Sequence, residues 1–225
     1  MAKYANWKLA AVTPVPKIAK PTSFSDFRPI SVTPILSRVA EKFLVNKWVF
    51  PAIPANAIRD QFAFRTTGSS TTCALVNLLH HVGCMLETNN YVQCLTIDFS
   101  KAFDVVNHSV LLRKVSALEL PDIHNWIVSF LIGRQQILPV FNNEYDDDAI
   151  NGVCSPVLPI SRGIIQGSGV GPTFYIILKS DLNPLSANNV LSKYVDDLNL
   201  LVPQHCDVSL ATEFDHNGSG LTTIK

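Results

Sequence analysis

The spacing of apolar positions changes along this chain, and each change marks an element. Leu191–Val195 and Leu198–Val202 are apolar runs of strand length with Asp196-Asp197 between them. Two runs joined this tightly predict a β-hairpin with an acidic pair at its tip. Tyr91–Ile97 is rich in aromatic and β-branched residues and predicts another strand, with Asp98 at its end. Elsewhere the period is helical. Ile35, Leu36, Val39, Phe43 and Leu44 recur at helical spacing within Ile35–Val49, until Pro51 and Pro54 stop the pattern. Gly68-Ser69-Ser70-Thr71 offers an N-cap ahead of Ala74, Leu75, Leu78, Leu79 and Val82. Further helices are predicted over Asn107–Leu118, over Pro121–Leu131 with Gly133 closing it, and from Pro172 to Lys179.

Residues 9–34 carry Pro14, Pro16, Pro21, Pro29 and Pro34 and read as extended and loop-like. Residues 134–162 read as β-hairpin and loop, with Asp146-Asp147-Asp148 as a solvated tip. From Gln204 onward no strong period emerges. The order of elements predicts an α+β fold, an antiparallel sheet with helices on one face.

A hydrophobic content of 47% is ample for a core, and 225 residues allow one large domain or two small ones. The five cysteines, Cys73, Cys84, Cys94, Cys154 and Cys206, form no Cys-x-x-Cys pair. Neither a zinc site nor a disulfide framework is indicated, and buried free thiols in a reducing compartment are expected. No apolar stretch approaches the ~20 residues that span a bilayer, and Met1–Pro14 does not resemble a secretory signal. An intracellular setting, cytoplasm or nucleus, and no membrane partner are expected. Net charge is zero, but its distribution is not even. Residues 1–65 hold ten Lys/Arg against three Asp/Glu, a net +7, and the remainder carries −7. A basic N-terminal lobe is suited to bring phosphates to an acidic, metal-loaded one; the alternative is that these bases are ordinary solvated surface.

Asp98, Asp196 and Asp197 are the candidate chemistry. Adjacent aspartates at a tight turn repel each other, and hard oxygen ligands are what Mg²⁺ takes. If the two strand ends meet, the three carboxylates are the minimum set for two-metal phosphoryl transfer. Gln166-Gly167-Ser168 lies in a segment of four glycines, Gly163 to Gly171. Such glycines let backbone approach a ligand closely, and a glutamine offers both donor and acceptor; the alternative is a flexible loop leading into a helix. Arg28 and Arg65 stand beside aromatic residues and suit phosphate or base contact; the alternative is a packed stem with its head in water. Phe103, five residues after Asp98, lies near whatever Asp98 binds, unless it is a core residue.

Taken in order, these segments resemble the reverse transcriptase domain of non-LTR, jockey-like retrotransposons. Val15-Pro16-Lys17 and Phe27-Arg28-Pro29-Ile30-Ser31 are similar to the family's opening segment. Gln61-Phe62-Ala63-Phe64-Arg65 with Ser69-Ser70-Thr71-Thr72 resembles its second fingers motif. Asp98-Phe99-Ser100-Lys101-Ala102-Phe103-Asp104 resembles the first catalytic motif, and Trp126–Gln135 a segment between catalytic motifs. Gly163-Ile164-Ile165-Gln166-Gly167-Ser168 through Gly171-Pro172 resembles the template and nucleotide loop, and Lys193-Tyr194-Val195-Asp196-Asp197 the catalytic hairpin.

The resemblance implies a right-hand polymerase with fingers and palm and an antiparallel palm sheet packed against helices. Fingers would span 1–90, palm 91–109 and 163–225, with connecting helices and loop over 110–162. It implies Mg²⁺, with Mn²⁺ as a substitute, held by Asp98 and Asp196 and supported by Asp197. It also implies an RNA template, a DNA primer and dNTPs. Phe103 would be the steric gate that excludes a ribose 2′-hydroxyl. Gln166, Gly167, Arg65 and Phe99 would face the incoming nucleotide. Lys17, Arg28, Tyr194 and Ser168 would face template or primer.

The chain departs from the family pattern at Ile164-Ile165, where Val-Pro is usual, at Gly169-Val170 after Ser168, and at Ala63 in place of glycine. No thumb or endonuclease segment is read past Val202. The expected activity is RNA-directed DNA synthesis. The alternatives are an inactive truncated remnant or repurposed RNA-binding domain, and, disfavoured by Phe103, an RNA-making polymerase palm.

Overall fold

The computed structural model describes residues 7–64, 70–99, 101–140 and 153–224. Its strands are β1 (Leu9–Pro16), β2 (Phe27–Val32), β3 (Val92–Ile97), β4 (Gln135–Ile137), β5 (Pro139–Val140), β6 (Val153–Cys154), β7 (Leu158–Pro159), β8 (Val190–Tyr194) and β9 (Asp197–Pro203). Its α-helices are α1 (Ile35–Leu44), α2 (Phe50–Ala52), α3 (Thr71–Leu86), α4 (His108–Ser116), α5 (Pro121–Leu131), α6 (Gly171–Leu178) and α7 (Leu210–Ile224). A π-helical turn, Val45–Val49, joins α1 to α2.

The expected antiparallel sheet has the order β3-β9-β8, with β9 at its centre. Leu95 and Leu200 are paired across it, as are Leu200 and Leu191. These residues therefore share a face, where Leu182, Leu198, Val202 and Leu210 complete an apolar cluster. Helix α3 packs across all three strands. A second sheet has the order β2-β1-β4-β7. The proline-rich opening is thus an antiparallel strand pair, from Ala11 opposite Val32 to Pro16 opposite Phe27. Its prolines sit where a missing N–H costs least. Strand β2 is an edge, and β4 runs beside β1 only along Leu9–Ala11, short of Pro14. Strand β4 pairs with β7 and β5 with β6, which gives the hairpin expected in 134–162. Asp146-Asp147-Asp148 lies outside the described residues.

The main core surrounds α6. Phe174, Tyr175, Ile176, Ile177 and Leu178 are all buried, so this helix is enclosed on every side. Leu111 and Val115 of α4, Ile127, Phe130 and Leu131 of α5, and Val45 and Val49 pack around it. Each such side chain contributes roughly 1.5–3 kcal/mol on leaving water. The helix caps follow the sequence. The Ser70 hydroxyl accepts from the Cys73 N–H at 3.0 Å, and the Asn107 side chain accepts from Ser109 N–H at 2.9 Å. Gly133 has φ +70° just past α5.

Three features depart from expectation. Helix α1 buries Ser37 and Glu41, whereas its apolar stripe Ile35, Leu36, Val39 and Phe43 is 59–70% exposed. The cysteines are not buried: Cys73, Cys84, Cys94 and Cys154 are exposed, and Cys206 is half-buried. Cys73 and Cys84 ride on α3, which buries no residue, and Cys94 faces outward on edge strand β3. Finally, the stretch from Gln204, in which the sequence predicts no element, carries helix α7 from Leu210 onward. Among the described residues no helix is long and apolar enough to cross a membrane.

Candidate active site

The hairpin turn is as tight as two residues allow. Tyr194 pairs with Asp197, which leaves Val195 and Asp196 as the loop. Val195 has φ +53°. A β-branched residue in the left-handed region is strained by about 1–3 kcal/mol and persists only where its surroundings hold it. On the other side of β9, Ile97 pairs with Leu198. Carrying that register one residue further brings Asp98 alongside Asp197. Three carboxylates thus meet at one end of the sheet.

Asp197 feels the other two. Burial pushes the Asp197 carboxyl above the usual carboxylate range, and the Asp196 and Asp98 carboxylates push it further; Lys179 opposes them. Among the described residues no group of three His, Cys, Asp or Glu stands ready-arranged to hold a metal. The donor chemistry nevertheless fits a hard divalent cation: all-oxygen ligands whose mutual repulsion a cation would relieve. The nearby ammonium of Lys179 is directed at backbone instead, donating to the carbonyls of Val195 at 2.8 Å and Asp196 at 3.0 Å. Burial lowers Lys179 to about 7 against the raising effect of Asp196.

Phe103 lies beside this cluster, its ring stacked on Tyr175 of α6 with centroids 4.7 Å apart and planes at 21°. Burial first, then the three carboxylates, drive the Tyr175 hydroxyl up, so it stays a neutral phenol. Phe99 covers Lys179, with the ammonium 4.0 Å from its ring centroid. Gln166 donates to the Asp104 carboxylate at 2.9 Å, and its carbonyl accepts from Ser31 N–H at 2.8 Å. The loop is thus bonded both to the segment after Asp98 and to β2. Gly169 N–H donates to Glu41 of α1 at 2.6 Å. Ser168 is buried, and its hydroxyl accepts from Gly171 N–H at 3.1 Å, which shapes the start of α6.

The structure places Asp98, Asp196 and Asp197 at one end of the β3-β9-β8 sheet with Tyr194 in the same hairpin, Phe99 over Lys179 and Phe103 on Tyr175; Gln166 and Gly167 are tied instead to Asp104 and β2. Arg28 is exposed on β2 and Lys17 is exposed just past the end of β1; Lys17 donates to the Ser25 carbonyl at 2.9 Å. Arg65 lies outside the described residues.

A model of the family described as "Reverse transcriptase (RNA-dependent DNA polymerase)" matches residues 18–216. The chain belongs to the reverse transcriptase family. Its relatives include the probable RNA-directed DNA polymerase from transposon BS of Drosophila melanogaster, 29% identical over 210 residues, 89% of this chain and 22% of that protein. The RNA-directed DNA polymerase from mobile element jockey of the same species is 31% identical over 182 residues, 78% of this chain and 18% of that protein. The chain therefore spans about a fifth of the length of these relatives, and it is a reverse transcriptase domain of their non-LTR kind. Among solved structures, apo telomerase from Candida tropicalis truncated from its C-terminal domain superposes with TM-score 0.60 at 13% identity. That likeness covers 96% of this chain and 46% of that one and is one of fold, the right-hand polymerase.

The burial of several charges around this candidate site carries no sequence signal. Lys179, Lys193 and Glu41 read as solvated charges, yet all are buried. Strand β8 is also bridged from the N-terminal side: Lys193 N–H donates to the Asp60 carbonyl at 2.7 Å, and Phe62 N–H donates to the Lys193 carbonyl at 2.8 Å. Gln61 follows the same path, bridged to Lys193 in parallel. The second fingers motif is thereby stitched to the catalytic hairpin.

The glycine requirement is testable. At Gly167, φ is +107° and an added Cβ would stand 2.6 Å from the Ser31 carbonyl oxygen; at Gly133, φ is +70° and nothing lies within 4 Å. Gly133→Ala is expected to cost about 1 kcal/mol, from left-handed backbone alone. Gly167→Ala is expected to cost about 3 kcal/mol or more, since backbone must also move. Urea denaturation of both variants checks this; equal costs would show that the loop is free to shift.

Proposed function

We propose that this domain extends a DNA primer with deoxynucleotides while copying an RNA template. The observation that carries the reading is the meeting of Asp98 with Asp196 and Asp197 at the end of the β3-β9-β8 sheet. Asp98 and Asp196 are the residues to hold Mg²⁺, or Mn²⁺ in its place, with Asp197 in support. When bound, the divalent ions supply activation of the primer 3′-hydroxyl and stabilisation of the departing pyrophosphate. Phe103, stacked on Tyr175, presents a fixed ring to the sugar of the incoming nucleotide. Gln166 and Gly167 would face the same nucleotide and Tyr194 the template or primer, whereas Ser168, buried and bonded to Gly171, would act by shaping the loop. Lys17, Arg28 and Arg65 belong to the basic N-terminal part and would contact phosphates.

Residues 1–90 would act as fingers, with the palm in 91–109 and 163–225. An RNA partner is supported by a fold neighbour of TM-score 0.57, telomerase from Candida tropicalis in complex with a TWJ fragment of telomeric RNA. RNA template and DNA product would place the activity in the cytoplasm, the nucleus or both.

The test is Mg²⁺-dependent extension of a DNA primer on an RNA template, with dNTPs and separately with rNTPs. Extension with dNTPs that a chelator abolishes is expected. No extension from a folded sample would sink the reading for this chain. Extension with rNTPs alone would move it to RNA synthesis.

A further inference from the structure

We propose that Lys179 is a positioning residue for the acidic turn: its buried ammonium holds the Val195–Asp196 backbone and thereby fixes where the two carboxylates stand. The catalytic consequence rests on the polymerase reading above; the clamp itself does not.

Lys179 is 1% exposed, just past the last residue of α6. A buried ammonium is costly unless its donors are used. Here they are used on carbonyls, Val195 at 2.8 Å and Asp196 at 3.0 Å, and among the described residues the ammonium makes no ion pair. The charge is also covered by aromatic faces, Phe99 at 4.0 Å and Tyr175 at 4.7 Å from ring centroid to Nζ. A cation meant only to neutralise the aspartates would point at their side chains. This one points at the backbone that carries them.

The opposite link exists as well. Lys193 of β8, also buried, donates from Nζ to the Lys179 carbonyl at 3.3 Å. Helix end and hairpin are thus fastened in both directions. The need for such fastening is visible at Val195, whose φ of +53° is unfavourable for a β-branched residue. Repulsion among Asp98, Asp196 and Asp197 adds to that strain. Unheld, the turn would relax, and a displacement of about 1 Å at a reacting centre costs on the order of 100-fold in rate.

Lys179→Met keeps the stem length and the apolar contacts but removes the donors. Two readouts need no activity. Hydrogen exchange of the metal-free chain should show the turn amides near Val195–Leu198 exchanging at least about tenfold faster, with α4 and α5 unchanged. Mn²⁺ binding, followed by electron paramagnetic resonance, should weaken by about tenfold. Unchanged turn protection in the folded variant overturns the proposal. Tighter Mn²⁺ binding also overturns it, because loss of a mere counter-charge favours a cation.

In a Val195→Gly background, where positive φ carries no strain, the Lys179→Met effect should shrink. An undiminished effect there would likewise count against the clamp. If Lys179→Met does not fold, Lys179→Leu, which likewise has no donor, takes its place with the same loss of turn protection expected; wild-type protection in that variant overturns the proposal. Wild-type protein that neither extends primers nor binds Mn²⁺ would defeat the polymerase reading, and the exchange experiment would still decide the clamp.

Discussion

Asp196→Asn is expected to reduce primer extension by at least about 1,000-fold, equivalent to roughly 4 kcal/mol of transition-state stabilisation. The substitution preserves shape and removes only charge and one ligand oxygen. It does so at the position where the hairpin loop is narrowest, between Val195 and the Tyr194–Asp197 pair. Asp98→Asn is expected to do as much, and the double variant little more, because the two act as one unit. Asp197→Asn should cost less, in keeping with a supporting place. The loss must not come from unfolding, and the charges indicate that it will not. Removing Asp196 relieves the repulsion that raises the Asp197 carboxyl, and it also takes away a carboxylate that favours charged Lys179. These effects oppose each other, so the melting temperature should move by less than about 4 °C. Single-turnover extension and scanning calorimetry on the same samples check both halves. An Asp196→Asn protein with more than a tenth of wild-type extension would remove Asp196 from the catalytic set.

What was legible in the sequence divides along a physical line. Elements whose signal is local were read well. The acidic hairpin follows from two apolar runs, α3 from Ser70 and α5 from Pro121 and Gly133. The candidate acids Asp98, Asp196 and Asp197 stand out in the sequence because strand ends and tight turns advertise themselves. Elements set by long-range polar contacts were not legible. Helix α7 has no apolar period because a buried carboxylate anchors it: Glu213 accepts from Leu185 N–H at 2.8 Å, Ser186 N–H at 3.0 Å and Asn189 at 2.7 Å. Helix α1 faces the core with Glu41 for the same reason, since Ser37 at 2.7 Å and Gly169 N–H at 2.6 Å use both of its oxygens. The sequence period marks an apolar stripe on α1, but it does not say which face packs. Lys179 and Lys193 belong here too. A lysine in a sequence reads as solvated, and only the assembled fold shows the carbonyls that receive it.

Phe103→Val is expected to lower the preference for dNTPs over rNTPs by on the order of 100-fold, mainly by raising kcat/KM for rNTPs. The argument is one of rigidity. A ring excludes a hydroxyl only if it cannot turn aside, and here one face of the ring is held while the residue's backbone is fixed. Its face lies on buried Tyr175 at 4.7 Å, and its own carbonyl accepts from Ile164 N–H at 2.7 Å. One step further, Gly163 N–H donates to the Val106 carbonyl at 2.8 Å, so the segment after Asp98 is fastened to the glutamine loop along its length. Valine keeps an apolar body against Tyr175 while opening the space beyond Cγ. The ring is only half-buried, so the stability cost should be about 1–2 kcal/mol, smaller than for a fully buried phenylalanine. Extension with each nucleotide type, measured as kcat/KM on one primer and template, separates the possibilities. A fall in the ratio with dNTP use preserved identifies the ring as the sugar discriminator. An unchanged ratio in a folded protein would leave Phe103 as packing for α6 and require the discrimination to come from the glutamine loop, whose Gln166 is already tied to Asp104 at 2.9 Å beside it.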